Sequence, residues 1–270
     1  MSGFLKVTIL GCGSSGGVPR IGNIWGDCDP QEPKNRRRRC SILVQKSVEQ
    51  GGPTTNVLID TSPDMAEQLN MANQGKLDAV LYTHAHADQA HGIDDLRMVA
   101  MNNRARVDVY MDETTESWLT SRFDYCFKTP PGSSYPPILN AHKLIAHEPV
   151  TIDGEGGPVR FEPLLLEHGS IPALGFKMGG IAYSPDVSGV PQQARDAIAG
   201  IDCWIVDALR RAPHPSHANL DRSLEWVAEV KPKLGVLTNM HVDLDYQTLC
   251  NELPDGVIPA YDGMVLEYPL

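Results

Sequence analysis

The sequence predicts an α/β protein, a four-layer αββα sandwich in which two mixed β-sheets pack face to face with helices outside. The hydrophobic segments are short, rich in β-branched residues and separated by turn formers. The first strands follow one another closely, whereas the later ones alternate with helical segments. No internal repeat or change in composition divides the 270 residues, so we expect a single domain over 1–270.

The elements are placed by local patterns. Strands are predicted at 6–10, 41–45, 56–60, 79–83, 107–110, 159–166, 174–178, 181–184, 203–206, 235–238 and 264–268. Helices are predicted at 63–73, 112–122, 191–199, 218–230 and 245–252. The first helix has Asp60 or Ser62 as a cap and Pro63 in its first turn. The segments 11–39 and 128–149 remain as long loops, which tend to be functional or mobile.

Composition limits the possible partners. The formal net charge of −11 argues against a large nucleic acid bound through a basic surface, but allows a small phosphate ligand beside a bound cation. The six cysteines form no CxxC pair, so no disulfide framework is expected. The sequence has no apolar leader and no apolar run of membrane-spanning length. We therefore expect a cytoplasmic protein with reduced thiols and no membrane partner.

The segment 81–89, LYTHAHADQ, brings two histidines and a carboxylate to the end of an apolar strand. Alternate residues of an extended segment point the same way, so His84 and His86 project together and Asp88 follows as the chain turns. Imidazole and carboxylate suit zinc and its first-row neighbours. The alternative is a set of turn or core residues without metal, which a lone HxH would favour. The longer pattern favours a metal site.

Two later strands end in the same way. The segment 164–169, LLLEHG, ends an apolar strand with His168, and the segment 181–186, IAYSPD, ends one with Asp186. Each alone is a weak signal, because strand-end His and Asp are often turn formers. They become informative together, because they repeat the pattern of the first motif, a possible metal ligand at the end of an apolar strand.

Together these residues resemble the metallo-β-lactamase superfamily of hydrolases, which carries such ligands in this order along the chain: His84, His86, Asp88, His168 and Asp186. Further segments resemble the phosphoribosyl cyclic phosphate phosphodiesterases of that superfamily: LGCGSSGGVP at 10–19, RCS at 39–41, GIDDLR at 92–97 and YDGM at 261–264. The resemblance extends over 5–267 and implies the metallo-β-lactamase fold.

The resemblance also implies a metal centre of one or two divalent ions, zinc or manganese. One ion would be held by His84, His86 and His168. A second would be held by Asp88 and two further groups, with Asp186 bridging the two ions.

The second site departs from the family's pattern at two positions. Gln89 and Asn239 stand where the family has histidines, and His241 follows two residues after Asn239. We expect His241 rather than Asn239 to complete the site, although both remain open. Carboxylate and amide oxygens are hard ligands, so manganese or magnesium is favoured over zinc there. We expect this second ion to bind more weakly than the first.

His217, within PSHANL at 215–220, lies where the family has a histidine that acts on the substrate. A protonated imidazole there would bind phosphate and act as general acid toward the leaving alkoxide. The alternative is a histidine that caps the following helix or is solvated. Two cations roughly 3.5–4 Å apart would generate hydroxide at neutral pH, and Asp88 would orient this nucleophile.

Two other motifs are given less weight. The basic run RRRR at 36–39 suggests nucleic-acid binding, but a run of this length is more often a solvated loop. The segment 11–16, GCGSSG, matches GxGxxG, yet no helical unit with a well-placed acidic residue follows it. Its glycines instead allow the backbone to pass close beside the metal pocket.

The predicted function is hydrolysis of a small cyclic phosphate, either a phosphoribosyl cyclic phosphate or a 2′,3′-cyclic nucleotide, with a nucleoside monophosphate as one candidate product. Two alternatives remain: a non-catalytic nucleotide-binding protein with a degenerate second metal site, favoured by Gln89 and Asn239, and a thioester or lactam hydrolase on the same fold. A homodimer is left open.

Overall fold

The computed structural model describes residues 3–49 and 51–269, so both ends of the predicted domain, 1–270, lie outside the described residues. One seven-stranded sheet is formed by β1 (Phe4–Gly11), β2 (Ser41–Ser47), β3 (Thr54–Ile59), β4 (Ala79–Leu81), β5 (Val107–Met111), β6 (Leu139–Lys143) and β14 (Val265–Pro269). Their order is β14-β1-β2-β3-β4-β5-β6. The pairs from β14 to β3 are antiparallel and those from β3 to β6 are parallel, so this sheet is mixed.

The second sheet also has seven strands and repeats this arrangement. It contains β7 (Val150–Ile152), β8 (Val159–His168), β9 (Ile171–Met178), β10 (Ile181–Ser184), β11 (Cys203–Asp207), β12 (Leu234–Thr238) and β13 (Val257–Pro259), in the order β13-β12-β11-β10-β9-β8-β7. The pairs from β10 to β13 are parallel and those from β7 to β10 are antiparallel.

Eight α-helices accompany the two sheets in the described residues. They are α1 (Met65–Met71), α2 (Ala87–Ala90), α3 (Leu96–Asn103), α4 (Glu113–Arg122), α5 (Asp124–Phe127), α6 (Gln192–Ala197), α7 (Leu220–Val230) and α8 (Tyr246–Glu252). Side-chain oxygens of Asp112, Asn219 and Asp245 cap α4, α7 and α8 by accepting bonds from backbone N–H groups. No helix in the described part of the chain is long and apolar enough to cross a membrane.

The layers follow from alternation along the strands. In β2, Ile42 and Val44 pack into the core between the sheets, whereas Leu43 packs on the opposite face, in the cluster that contains Leu69 of α1. On the second sheet's outer face, helices such as α7 contribute buried residues that include Trp226. Each fully buried aliphatic side chain stabilises this packing by roughly 1.5–3 kcal/mol. The predicted αββα sandwich is thereby confirmed.

Each predicted strand and helix is present, with its ends shifted by a few residues. The helix predicted from position 218 begins at Leu220, because Asn219 is its cap. Three strands were not predicted: β6, β7 and β13. β6 and β7 lie at sheet edges and carry mainly exposed or half-buried side chains, so neither contains the apolar run that marked the predicted strands. β13 is a three-residue edge strand that ends at a proline.

Candidate metal centre

The residues singled out by sequence meet where strands of both sheets end. β8 runs parallel to β10, because both pair with β9 in antiparallel fashion, so the ends of β8, β10 and β11 share one edge. The backbone N–H of Leu174 in β9 donates to the carbonyl of Thr83 (2.9 Å), which joins the segment after β4 to the second sheet. Polar residues at or just after these strand ends form the site: His84, His86, His168, Asp186 and Asp207.

Three histidines form a nearly equilateral triangle. The ring centroids of His84, His86 and His168 lie 4.6, 4.8 and 4.9 Å apart, and their candidate ligand nitrogens all lie within 4.8 Å of one another. Nε2 of His168 is 3.1 Å from Nδ1 of His86. The structure thus brings together the three residues predicted to hold the first metal.

A buried carboxylate orients His84. Asp60 follows β3 with a positive φ of 65° and accepts from the backbone N–H (2.8 Å) and the hydroxyl (2.9 Å) of Thr83. Because the Thr83 hydroxyl donates to Asp60, its oxygen accepts from Nδ1–H of His84 (3.0 Å). Nε2 of His84 then carries the lone pair, and this buried atom has no hydrogen-bond partner.

A tight turn orients His168. Gly169 follows with a positive φ of 61°, and a Cβ there would lie 2.8 Å from the Ser216 side chain, so glycine permits this close approach. Nδ1 of His168 donates to the carbonyl of Ser216 (2.7 Å). This bond leaves the Nε2 lone pair directed at the triangle, the arrangement expected of a metal-ligating histidine.

The triangle fits one divalent cation. Burial lowers the pKa of His84, His86 and His168, and for His168 the pKa falls to about 4, so the rings are neutral at neutral pH. Neutral imidazoles that converge around a buried, unpartnered nitrogen are a donor set that suits zinc and related metals.

These pKa shifts predict an acid-sensitive metal-free protein. The folded pKa of His168, about 4, lies below the ordinary value near 6.5, so between these pH values the unfolded chain binds a proton that the folded chain does not. The free energy of unfolding should therefore fall as the pH is lowered from 6.5 to 4, by about 3 kcal/mol for this residue, which is 2% exposed.

Urea denaturation in EDTA at several pH values measures this loss. In His168→Gln the decrease between pH 6.5 and 4 should be smaller by about the same amount. The control His91→Gln changes an exposed ring and should keep the full decrease. Equal pH dependence in the original protein and His168→Gln would contradict the prediction.

A second group adjoins the triangle and contains His168, Asp186 and His217, whose candidate ligand atoms also lie within 4.8 Å of one another. The His217 ring is 4.7 Å from that of His168. Nδ1 of His217 donates to Asp207 Oδ2 (2.9 Å) and is 3.8 Å from Asp186 Oδ1. Asp207 also accepts from the backbone N–H of Val187 (3.0 Å), so this carboxylate holds the His217 ring in place.

The place predicted for a second cation is occupied by amide donors. Gln89 Nε2 donates to Asp186 Oδ2 (2.9 Å), and Asn239 Nδ2 donates to Asp186 Oδ1 (3.3 Å) and Asp207 Oδ1 (3.1 Å). Burial raises the pKa of Asp186, and the charges of Asp88 and Asp207 add to this effect. The residues present therefore do not fit a second ion as they fit the first.

Two predicted ligands lie outside both groups. Asp88, half-buried in the first turn of α2, belongs to neither set of mutually close donors in the described residues. His241 contacts the Arg20 guanidinium through Nε2 and Asp243 Oδ1 through Nδ1, at 3.1 Å for the latter. That His241 completes a metal site stays a prediction, and this geometry does not support it.

Sequence inspection missed the roles of Asp60 and Asp207 at this site. Asp60 directly follows β3 and Asp207 ends β11, a signal of the kind that singled out Asp186, but many strand-end carboxylates lack such a role. The arginine run at 36–39 was interpreted as a solvated loop, but Arg37 within it is buried and donates to the carbonyl of His241 (3.4 Å). At Gly11 a Cβ would lie 2.0 Å from the carbonyl oxygen of Arg39, so glycine permits a close backbone approach there. That the glycines let the backbone pass beside the metal pocket stays a prediction.

Known proteins share both the sequence pattern and the fold. A model of the β-lactamase superfamily domain matches residues 55–240. A solved structure described as a new diphosphatase from the PhnP family is 34% identical, with a TM-score of 0.87 over 100% of this chain and 99% of that one. Zinc-bound PqqB from Methylobacterium extorquens, 18% identical with a TM-score of 0.70, covers 97% and 99% of the two chains and shares the fold.

A curated relative carries a different name. The octanoyltransferase of Porphyromonas gingivalis (strain ATCC BAA-308 / W83) is 29% identical over 96% of this chain, but the chain spans about half (51%) of that protein's length. The domain match and the full-length similarity to the diphosphatase decide the family. The chain belongs to the metallo-β-lactamase superfamily of metal-dependent hydrolases, within its PhnP-like branch.

Proposed function

We propose that this metallo-hydrolase is a phosphodiesterase that opens a small cyclic phosphate, with a phosphoribosyl cyclic phosphate or a 2′,3′-cyclic nucleotide as substrate. The observation that carries the proposal is the buried, unpartnered Nε2 of His84 at the triangle with His86 and His168. A divalent cation held there, zinc or manganese, supplies Lewis acidity toward a phosphoryl oxygen and activates water at neutral pH.

The proton required by the leaving group comes from His217. Its ring lies 4.7 Å from that of His168 and so adjoins the triangle. Its side chain is 15% exposed and therefore meets the solvent from which a substrate enters. The bond from Nδ1 to Asp207 fixes the ring and directs Nε2 outward. The buried Asp207 carboxylate thus holds the ring in one orientation, as proton transfer to a leaving group requires.

Asp88 is proposed to orient the attacking water. Burial lowers the pKa of His86 and raises that of Asp186, and the charge of Asp88 raises the pKa of both. Asp88 is therefore close enough for its charge to act on both groups. Its position in the first turn of α2 also places it beside His86, the residue that precedes the helix.

A small, anionic substrate is supported by the charges and by similarity. The chain's net charge of −11 repels a long polyanion, so a small ligand drawn by a local cation is favoured. The similar full-length structure is a diphosphatase, which acts on a phosphate linkage. Hydrolysis of a diphosphate is therefore the second candidate function.

A substrate panel tests the proposal. Metal-free protein is supplied with Zn²⁺ or Mn²⁺ and offered phosphoribosyl cyclic phosphate, 2′,3′-cyclic AMP and GMP, a nucleoside diphosphate, a thioester and a β-lactam. We expect at least one cyclic phosphate to be opened, EDTA to abolish the reaction, and AMP or GMP to compete with the substrate.

Other outcomes distinguish the alternatives. Turnover confined to the diphosphate would favour the second candidate, and turnover confined to the thioester or lactam would contradict phosphate chemistry. Mononucleotide binding without turnover under either metal would indicate a nucleotide-binding protein. The single domain over 1–270, the cytoplasmic location and a homodimer stay predictions.

A further inference from the structure

We propose that this chain is a one-metal hydrolase, in which the amide groups of Gln89 and Asn239 replace a second cation. The inference rests on the proposed function, because it concerns the same site and takes the three-histidine triangle as the place of the single ion. It assigns to both amides a role in holding the carboxylates of Asp186 and Asp207.

Asp186 is the residue on which a second ion would depend. Its side chain is 2% exposed, and each of its oxygens accepts an amide N–H, from Gln89 at 2.9 Å and from Asn239 at 3.3 Å. An N–H group directs the positive end of its dipole at the oxygen lone pair. Each oxygen keeps a second lone pair, but a cation approaching it would meet the positive end of the amide dipole, so these hydrogen bonds disfavour a second ion at Asp186.

The amides also take over part of a cation's electrostatic function. Asp186 and Asp207 are both buried; burial raises the pKa of Asp186 most, and the charges of Asp88 and Asp207 raise it further. Asn239 Nδ2 lies between them, with bonds to an oxygen of each. A buried carboxylate requires such donors when no ion compensates its charge.

The orientation of the amides is determined by their surroundings. Turning either amide around would place its oxygen against a carboxylate oxygen, a contact that needs a cation between them or a proton on the carboxyl group. Asn239 is completely buried beyond β12 and has a positive φ of 60°, a conformation that asparagine tolerates well. Gln89 is completely buried within α2, so neither side chain can turn away into solvent.

Other candidate metal ligands nearby already take part in hydrogen bonds. His217 Nδ1 donates to Asp207, and His241 contacts Arg20 and Asp243. His168 belongs to both groups of candidate metal ligands. Its Nδ1 donates to the Ser216 carbonyl, and its Nε2 is directed at the triangle. Among the described residues, the triangle is thus the group of close candidate ligands whose free nitrogens converge without an amide N–H directed at them.

Metal stoichiometry tests the inference without relying on activity. Metal-free full-length protein is titrated with Zn²⁺ and with Mn²⁺ by calorimetry, and the bound metal is counted by mass spectrometry after desalting. We expect one ion per chain, and for Mn²⁺ an electron paramagnetic resonance spectrum of an isolated ion without exchange coupling.

Variants test the cause. Gln89→His with Asn239→His replaces both amide donors by imidazoles and should raise the stoichiometry to two, with exchange-coupled Mn²⁺. The matched control, Gln89→Ala with Asn239→Ala, removes the same donors without adding a ligand and should stay at one ion.

The outcomes separate the inference from the function on which it rests. Two ions of similar affinity in the unaltered chain would overturn the one-metal inference and leave a metal-dependent hydrolase intact. No bound ion at all would overturn the proposed function. A folded double-histidine variant that still binds one ion would overturn the role of the amides, and if that variant does not fold, stoichiometry and spectra of the unaltered chain decide.

Discussion

Replacing His86 with alanine should release the cation and slow hydrolysis of the phosphodiester by about 10³-fold or more. The loss is large because the cation contributes several kcal/mol of transition-state stabilisation, and each 1.36 kcal/mol corresponds to a factor of ten in rate. His86 is half-buried at the end of the segment after β4, so the fold should survive its removal. Metal content, circular dichroism and initial rates, measured on the same preparation, check this expectation.

His91→Ala is the matched control for that variant. His91 lies five residues further along the same segment, is exposed, and packs edge-to-face on Phe123 with ring centroids 5.6 Å apart. It should keep both metal and activity. If His86→Ala retained its full metal content, the triangle would not be the metal site.

Replacing His217 with alanine should reduce turnover by roughly 10²–10⁴-fold, the usual range for a lost general acid, and leave the metal content unchanged. The proposed role also predicts a dependence on the leaving group. A nitrophenyl phosphodiester releases a weakly basic phenolate that needs no proton, so its hydrolysis should be slowed much less than that of a substrate with an alkoxide leaving group.

Two further variants test how the residues around the His217 ring contribute to turnover. Asp207→Asn keeps the shape of the side chain but weakens the hydrogen bond that holds the His217 ring, and a loss of roughly 10–100-fold is expected. His214→Ala alters the neighbouring ring, 5.1 Å from His217, and should have little effect. An equal slowing of both leaving-group classes by His217→Ala, or a loss of metal from that variant, would argue against a general acid.

The amino-acid sequence by itself was enough to predict the architecture of this protein and the three histidines of the candidate metal site. The short apolar runs of β2 and β3, bounded by turn formers, are local patterns, and local patterns survive in a single sequence. His84 and His86 could be predicted in the same way, because two imidazoles two residues apart in an extended segment lie on one side of the chain.

Tertiary structure alone decided which distant residues support that site. Asp60 and Asp207 resemble any other strand-end carboxylate in sequence, and only the register of the parallel strands brings them to His84 and His217. His241 follows the alternation that predicted a ligand, yet in the folded chain it contacts Arg20 and Asp243. The amides of Gln89 and Asn239 both lie against Asp186, which is 97 and 53 residues away from them along the chain, because a hydrogen bond depends on proximity in space and not on spacing in sequence.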